Sequence, residues 1–447
     1  MSVETTSREG AMSADADEAS RSPPSDPPDR PSRRSRLWRW LRRTLIALIV
    51  LSILLGVALW LLQPQRSVPV LLDRGGKALG LAITADRDVE ARLRDQPQLV
   101  VRNLVVREPE SNAVILRAER LLIALPWSTL RSRGEELTVK RLELDAPRLD
   151  LVALQNWLAK RPPSAETKIP TLTDGLRVRD GRIDNDDWKI ENIAVDLPAL
   201  HAQRPVEARI RGRYVDAPTA IPFDLAVALT HPSNGAGLAL VGPMTIERGD
   251  DWRIPATVTF SGPLRIGQDD LRIEPVRFGM IARYETGETR LPFTLGLFGP
   301  LHFDNATWAL DPVTAVLRSD GPIPNFDASG AFAIGRRLVL RLDGRMPSWP
   351  EAWPALPAPI GASRSPLPFR LGYIGAPDLS ETIELDIARD AMRFESRFRL
   401  DDVLAWTSQT DGPPLPPLDG RLVAPRLDIS GATLEGVDVE IDDEALR

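Results

Sequence analysis

The chain has 447 residues, a net charge of −6, 43% hydrophobic residues, 41 prolines and no cysteine. Such a length suffices for a sizeable core or several domains, and the missing cysteine removes disulfides, thiol nucleophiles and thiolate metal sites together. The only dense basic cluster is N-terminal, so the broad cationic surface that nucleic acid demands is absent and nucleic acid is not an expected partner.

Residues 1–36 are rich in Ser, Asp, Pro and Arg, with almost no large apolar side chain. They predict a disordered cytoplasmic tail, because too little surface could be buried to offset ordering. Residues 37–65 read as a basic flank and a transmembrane anchor. The run TLIALIVLSILLGVALWLL from Thr44 to Leu62 carries no charge, and as a helix it is long enough to cross the ~30 Å hydrocarbon core of a bilayer. Its anchoring side chains are Thr44, Leu45, Ile46, Leu48, Ile49, Val50, Leu51, Ile53, Leu54, Leu55, Val57, Leu59, Trp60, Leu61 and Leu62.

Arg33, Arg34, Arg36, Arg39, Arg42 and Arg43 precede this run, whereas Arg66 alone follows it closely. The positive-inside bias therefore puts the N-terminus in the cytoplasm and the remaining chain across the membrane. A cleaved signal peptide is the competing reading. Against it stand an apolar run longer than the usual ~7–15-residue core, bulky Trp60, Leu61 and Leu62 at the exit, and no small-residue cleavage site. Trp38, Trp40 and Trp60 would sit near the headgroup layers. An exported region without disulfides is compatible with a bacterial envelope.

Val68 to Leu81 predicts a short helix limited by Gly75, Gly76 and Gly80. Beyond it the apolar period changes to two. Val206, Ala208, Ile210, Gly212 and Tyr214 fall on one face, with Glu207, Arg209, Arg211 and Arg213 on the other. Leu338, Leu340 and Leu342 repeat the pattern, as do Ile383, Leu385 and Ile387, and Val437, Val439 and Ile441. Half-buried strands are thus expected from about residue 99 almost to the C-terminus. Asp180-Gly181, Asp320-Gly321, Asp343-Gly344 and Asp419-Gly420 read as turns between antiparallel neighbours. Short helices are expected at Pro126–Arg131, Leu151–Lys160 and Asp401–Thr407. The proline-dense stretch 346–368 cannot be a central strand and reads as a loop or junction whose Trp349 and Trp353 cover the sheet's apolar surface.

Catalytic chemistry is not legible. His201, His231 and His302 are far apart, and nothing suggests that they converge with carboxylates or a nucleophile. Asp184-Asn185-Asp186-Asp187 lacks the glycine and the final glutamate of a calcium loop, since Lys189 occupies the sixth position, so it reads as a solvated hairpin turn. Asp250-Asp251, Asp269-Asp270 and Asp401-Asp402 are adjacent pairs that a strand would point to opposite faces. No phosphate loop, nucleophile elbow or zinc-protease helix is present. The expectation is a non-enzyme without metal or cofactor.

From residue 71 to 158 the order of pieces resembles the start of the exported region in the AsmA family of bacterial inner-membrane-anchored envelope proteins. After the anchor come QPQLVVRNLVV with Pro97 and Leu99, RAERLLIALPWSTL with its short turn of helix at Leu125 to Leu130, and LTVKRLELDAPRLDLV with Pro147, Leu149 and Leu151, closing on Asn156 and Trp157. Leu176 to Leu197 is similar to the family's strand, Asp-Gly turn, strand element, and Ile429 to Asp442 to its closing paired strands. The resemblance implies a mainly β region over residues 66–447: a long, curved, mostly antiparallel sheet, trough or elongated sandwich, with few helices. On the order of 25–30 strands stacked in one file would extend it ~120–145 Å.

Kinship of that family to bridge-like lipid-transfer proteins implies a periplasmic trough whose apolar floor holds phospholipid acyl chains, in support of outer-membrane homeostasis. Each buried methylene would contribute ~0.8 kcal/mol. Candidate floor residues are Val206, Ile210, Leu338, Leu340, Ile383, Leu385 and Ile387, and the partners are then the inner membrane and its phospholipid. The alternative is a tethered scaffold that closes its apolar faces on themselves and binds envelope assembly proteins through edge strands. An apolar face with no opposing sheet separates the first from the second.

Overall fold

The computed structural model describes residues 80–86, 90–92, 97–128, 138–160, 171–266, 271–304, 307–353, 355–407, 417–429 and 432–443. Among them, 22 strands join into one mixed sheet and helices are few. β1 (Ala82–Thr84) and β2 (Glu90–Arg92) share one edge of β3 (Gln98–Arg107), which pairs with β4 (Val114–Ala124). β4 pairs in turn with β6 (Arg141–Asp145) and β7 (Arg148–Asp150), and both run parallel to β9 (Leu176–Asp184). Helix α1 (Leu151–Ala159) makes the crossover that parallel pairing requires. A separate parallel pair joins β5 (Thr138–Val139) to β8 (Thr171–Leu172).

From β9 onward each strand pairs antiparallel with the next. They are β10 (Lys189–Leu197), β11 (Val206–Asp216), β12 (Thr219–Leu229), β13 (Gly237–Arg248), β14 (Trp252–Ile266), β15 (Leu271–Thr286), β16 (Thr289–Asp304) and β17 (Thr307–Ser319). β18 (Phe326–Ile334), β19 (Leu338–Met346), β20 (Leu367–Gly375), β21 (Thr382–Arg389), β22 (Met392–Arg399), β23 (Asp419–Ile429) and β24 (Ala432–Ile441) complete the file. Helix α2 (Leu400–Thr407) follows β22. The strands occupy twenty successive positions, roughly 90 Å at about 4.8 Å per strand, shorter than the sequence suggested because the described residues form 24 strands, β5 and β8 stand apart as a pair, and β1/β2 and β6/β7 share positions.

Bulges bend the middle of this sheet. Register shifts fall between Ser261 and Leu264, Ile273 and Val276, Phe298 and Leu301, and Leu310 and Val313, on four consecutive strands. Each interval contains a proline: Pro263, Pro275, Pro300 and Pro312. Proline cannot donate to the ladder and is tolerated inside a sheet at a bulge, and a bulge bends its strand and increases twist. Four in register therefore form a crease across β14–β17.

The first strands carry a closed core. Leu99, Val101, Leu121, Ile123, Leu142 and Leu144 bury one face against Leu151, Leu154, Trp157 and Leu158 of α1. Those helical residues recur at three- and four-residue spacing, and Asp150 caps the helix by accepting from the Ala153 N–H at 2.8 Å. Beside this core Glu108 is 5% exposed. Lys160 Nζ donates to its Oε1 at 2.6 Å and the Ser111 hydroxyl donates to Oε2.

The Lys160 hydrogen bond, followed by that of Ser111, holds the Glu108 carboxyl below its ordinary pKa. A lowered folded pKa gives stability that is full above the unfolded value and is lost as pH falls through the folded one. Lys160→Ala should therefore lower stability at neutral pH, because the buried Glu108 carboxylate loses its strongest donor. Denaturant unfolding across pH should show the gap between variant and parent closing as acidification passes the carboxylate range.

Several expectations need correction. Of the four Asp-Gly pairs, only Asp320-Gly321 lies in a connection between strands; Asp180-Gly181 and Asp343-Gly344 lie inside β9 and β19, and Asp419-Gly420 opens β23. Asp180 has φ 52 beside a register shift, so this pair makes a bulge, and the hairpin turn comes later, where the Asn185 N–H donates to Trp188 O at 2.9 Å. A Cβ on Gly344 would lie 2.6 Å from the Phe369 ring, so glycine there admits a neighbour rather than a turn. Stretch 346–368 is a loop, one of the two forms its prolines predict, and Met346 and Leu367 near its ends pair directly.

Helices at Leu151–Ala159 and Leu400–Thr407 agree with the reading, and Trp127 and Ser128 are helical. The tail, the basic flank, the Thr44–Leu62 anchor and nearly all of Val68–Leu81 lie outside the described residues, as does Asp269-Asp270. No helix among the described residues is long and apolar enough to cross a membrane.

Candidate functional site

Strand alternation and register together build one continuous apolar surface. Directly paired residues run from Ala208 on β11 through Val227, Leu240, Phe260, Phe278, Leu297, Ala315, Ala328, Gly344, Phe369, Ile387, Phe394 and Leu422 to Val439 on β24. Fourteen strands contribute one residue each and none is polar. At about 4.8 Å per strand the row extends roughly 62 Å.

Its exposure changes along the way. From β11 to β16 the row is half-buried, from β17 to β21 it is mostly buried, and at Val439 it is 41% exposed. The 346–368 loop accounts for the change. Trp349 and Leu356 pack on the cluster that contains Leu342, Leu367 and Phe369, and Ile360 packs with Met392, Ala424, Leu427 and Val437. Trp349 and Trp353 meet edge to face at 4.8 Å, and Trp353 Nε1 donates to Pro322 O at 2.7 Å. These tryptophans thus cover the sheet, as the sequence suggested.

All seven candidate floor residues lie on this face. Val206, Leu338, Ile383 and Ile387 are buried, while Ile210, Leu340 and Leu385 are half-buried. Ile210 stands between Val195 and Leu225, and Leu385 between Leu371 and Ser396. Ser396 is polar yet satisfied, since its hydroxyl donates to Leu385 O at 2.9 Å. Leu340 and Ile383 share a row with Phe332, Tyr373 and Phe398. The half-buried floor does not begin at the first strands, where α1 closes the face; it begins after β9.

The opposite face is charged and self-paired. Arg209 holds Asp224 with two 2.7 Å bonds, and Arg421 holds Asp438. Hydrogen bonds from these guanidinium groups keep both carboxyls below their ordinary pKa. Glu285, 6% exposed, accepts from Arg283 and Arg253, which lower its pKa in the same way. Such pairs neutralise one another on the solvent face. On the apolar side, burial pushes the Tyr214 hydroxyl up to about 12, so it stays protonated.

No catalytic cluster forms from the histidines: His201 and His231 lie in connections, and His302 on β16 contacts Glu274. Among the described residues no group of His, Cys, Asp or Glu could hold a metal ion. Asp250-Asp251 is in the β13–β14 turn and Asp401-Asp402 in the first turn of α2.

Sequence reasoning missed two features of the face. One is the proline crease. The other is Arg248, which falls in the inward phase after Leu238, Leu240, Met244 and Ile246 and ion-pairs with Asp378. A charge in that phase was the available signal.

Scans against protein-family models, curated proteins and solved structures return no match for the chain.

Proposed function

We propose that the chain is an AsmA-like protein, anchored in a bacterial inner membrane with its bulk in the periplasm, that binds or conducts phospholipid along the apolar face of its sheet in support of outer-membrane homeostasis. One observation carries this reading: the paired apolar row from β11 to β16 is half-buried rather than closed, and the other sheet among the described residues, β5–β8, packs in the core of the first strands instead of over it. A scaffold that closed its faces on themselves would bury that surface.

An apolar row left partly exposed over this many strands is costly unless a ligand covers it. Acyl chains fit, because they demand no polar group from the floor and gain ~0.8 kcal/mol per buried methylene. Headgroups would remain in solvent. No bond is made or broken, so the reading requires neither a nucleophile nor a metal.

The full chain, purified under mild extraction, should yield co-purified phospholipid when its bound lipids are extracted and weighed by mass spectrometry. Recovery of folded protein free of phospholipid would refute the conduit and favour the scaffold.

A further inference from the structure

Arg248 closes β13, and Asp378 sits in the loop between β20 and β21, yet Arg248 Nη2 lies 3.2 Å from Asp378 Oδ2. Seven ladder steps separate these strands, which is roughly 34 Å along the sheet at about 4.8 Å per strand. Contact across that interval requires the creased sheet to curl with its apolar face on the concave side, bringing its two flanks together at this point. The two residues stand at opposite strand ends, the stagger that tilted strands acquire when a sheet rolls toward a barrel. A second crossing agrees: Asp401 of α2 is near enough to Tyr284 of β15 to raise its pKa, after the larger effect of burial.

Side chains alone hold this seam. Among the described residues, β13 pairs with β12 and β14, and β20 with β19 and β21, so no ladder joins β13 to β20. Arg248 and Asp378 keep 22% and 26% side-chain exposure, and one partly exposed ion pair contributes far less than a strand ladder. The loop itself is fastened to its own side. Leu379 packs with Tyr373 and Ile383, and the Ser380 N–H donates to Asp378 Oδ1 at 3.1 Å, holding the carboxylate ready.

We propose that β13–β20 is a chamber for a single apolar chain, that the β20–β21 loop is its side gate, and that Arg248 and Asp378 are the clasp. A barrel of about eight strands has a lumen that takes either its own side chains or one small ligand. At its β13–β15 flank the floor is low, built from Gly242, Ala256, Val258 and Ala282, whereas Phe303, Leu342 and Phe369 fill the β16–β20 side, so the ligand's place is along β13–β15. Acyl chains enter sideways when the clasp parts. The identity of the occupant rests on the proposed lipid function; the motion of the gate does not.

Because the chain has no cysteine, Met280→Cys places a lone reporter thiol on the chamber floor. In that background Arg248→Asp and Asp378→Arg, each alone, should speed maleimide labelling by about fivefold, what an ion pair of this exposure can hold. The exchanged pair, Arg248→Asp with Asp378→Arg, should return labelling to the parental rate. Uptake of a fluorescent phospholipid from phosphatidylethanolamine/phosphatidylglycerol vesicles by the full chain should accelerate in the same order. Equal labelling in all four proteins would overturn the gate. Labelling that follows the clasp, with no uptake by any protein, would leave the gate standing and refute the lipid reading.

Discussion

Ile210→Glu and Leu385→Glu should each lower phospholipid occupancy of the full chain by about tenfold or more while leaving it folded. Both side chains are half-buried on the floor, Ile210 beside Val195 and Leu225 and Leu385 beside Leu371. Without a ligand, a glutamate there still reaches water, so the stability cost stays within the ordinary range of a partly exposed substitution. An acyl chain laid over it would have to strip that carboxylate of water, and would lose contact worth ~0.8 kcal/mol per methylene. Val241→Glu is the matched control, since Val241 is 48% exposed on the opposite face, and it should leave occupancy unchanged. Lipid mass spectrometry with circular dichroism decides the matter. Parental occupancy in a folded Ile210 or Leu385 variant would remove that residue from the groove.

The floor was readable because one face of each strand meets water. Alternation at Val206–Tyr214, Leu338–Leu342 and Ile383–Ile387 marks the buried phase without any tertiary knowledge. Turns were less readable. Asp-Gly serves a hairpin, a bulge or a close approach, and the choice at Gly344 was made by the Phe369 ring of the next strand, a residue distant in the chain. Curvature had a local signal that went unused: Pro263-Leu264, Pro275-Val276, Pro300-Leu301 and Pro312-Val313 recur at corresponding bulges of successive strands. The Arg248–Asp378 contact had none beyond its phase, because it depends on how far seven consecutive pairings curl.

Closure at the start of the sheet yields the other large effect. Trp157→Ala should destabilise the β1–β9 end by about 3–5 kcal/mol, the usual cost of deleting a buried aromatic side chain. Trp157 is 4% exposed, fills the core between α1 and the first strands, and donates its indole N–H to Gly80 O at 3.1 Å. Removal leaves both a cavity and a carbonyl without that donor. This core includes no residue from β17–β20, whose buried side chains belong to other clusters, so the loss should be local. Hydrogen exchange should rise in β3, β4 and β6 and stay near parental in β17–β20. A uniform rise would mean that the sheet unfolds as one unit, and α1 would then be a support for the whole floor rather than the plug at its β1–β9 end.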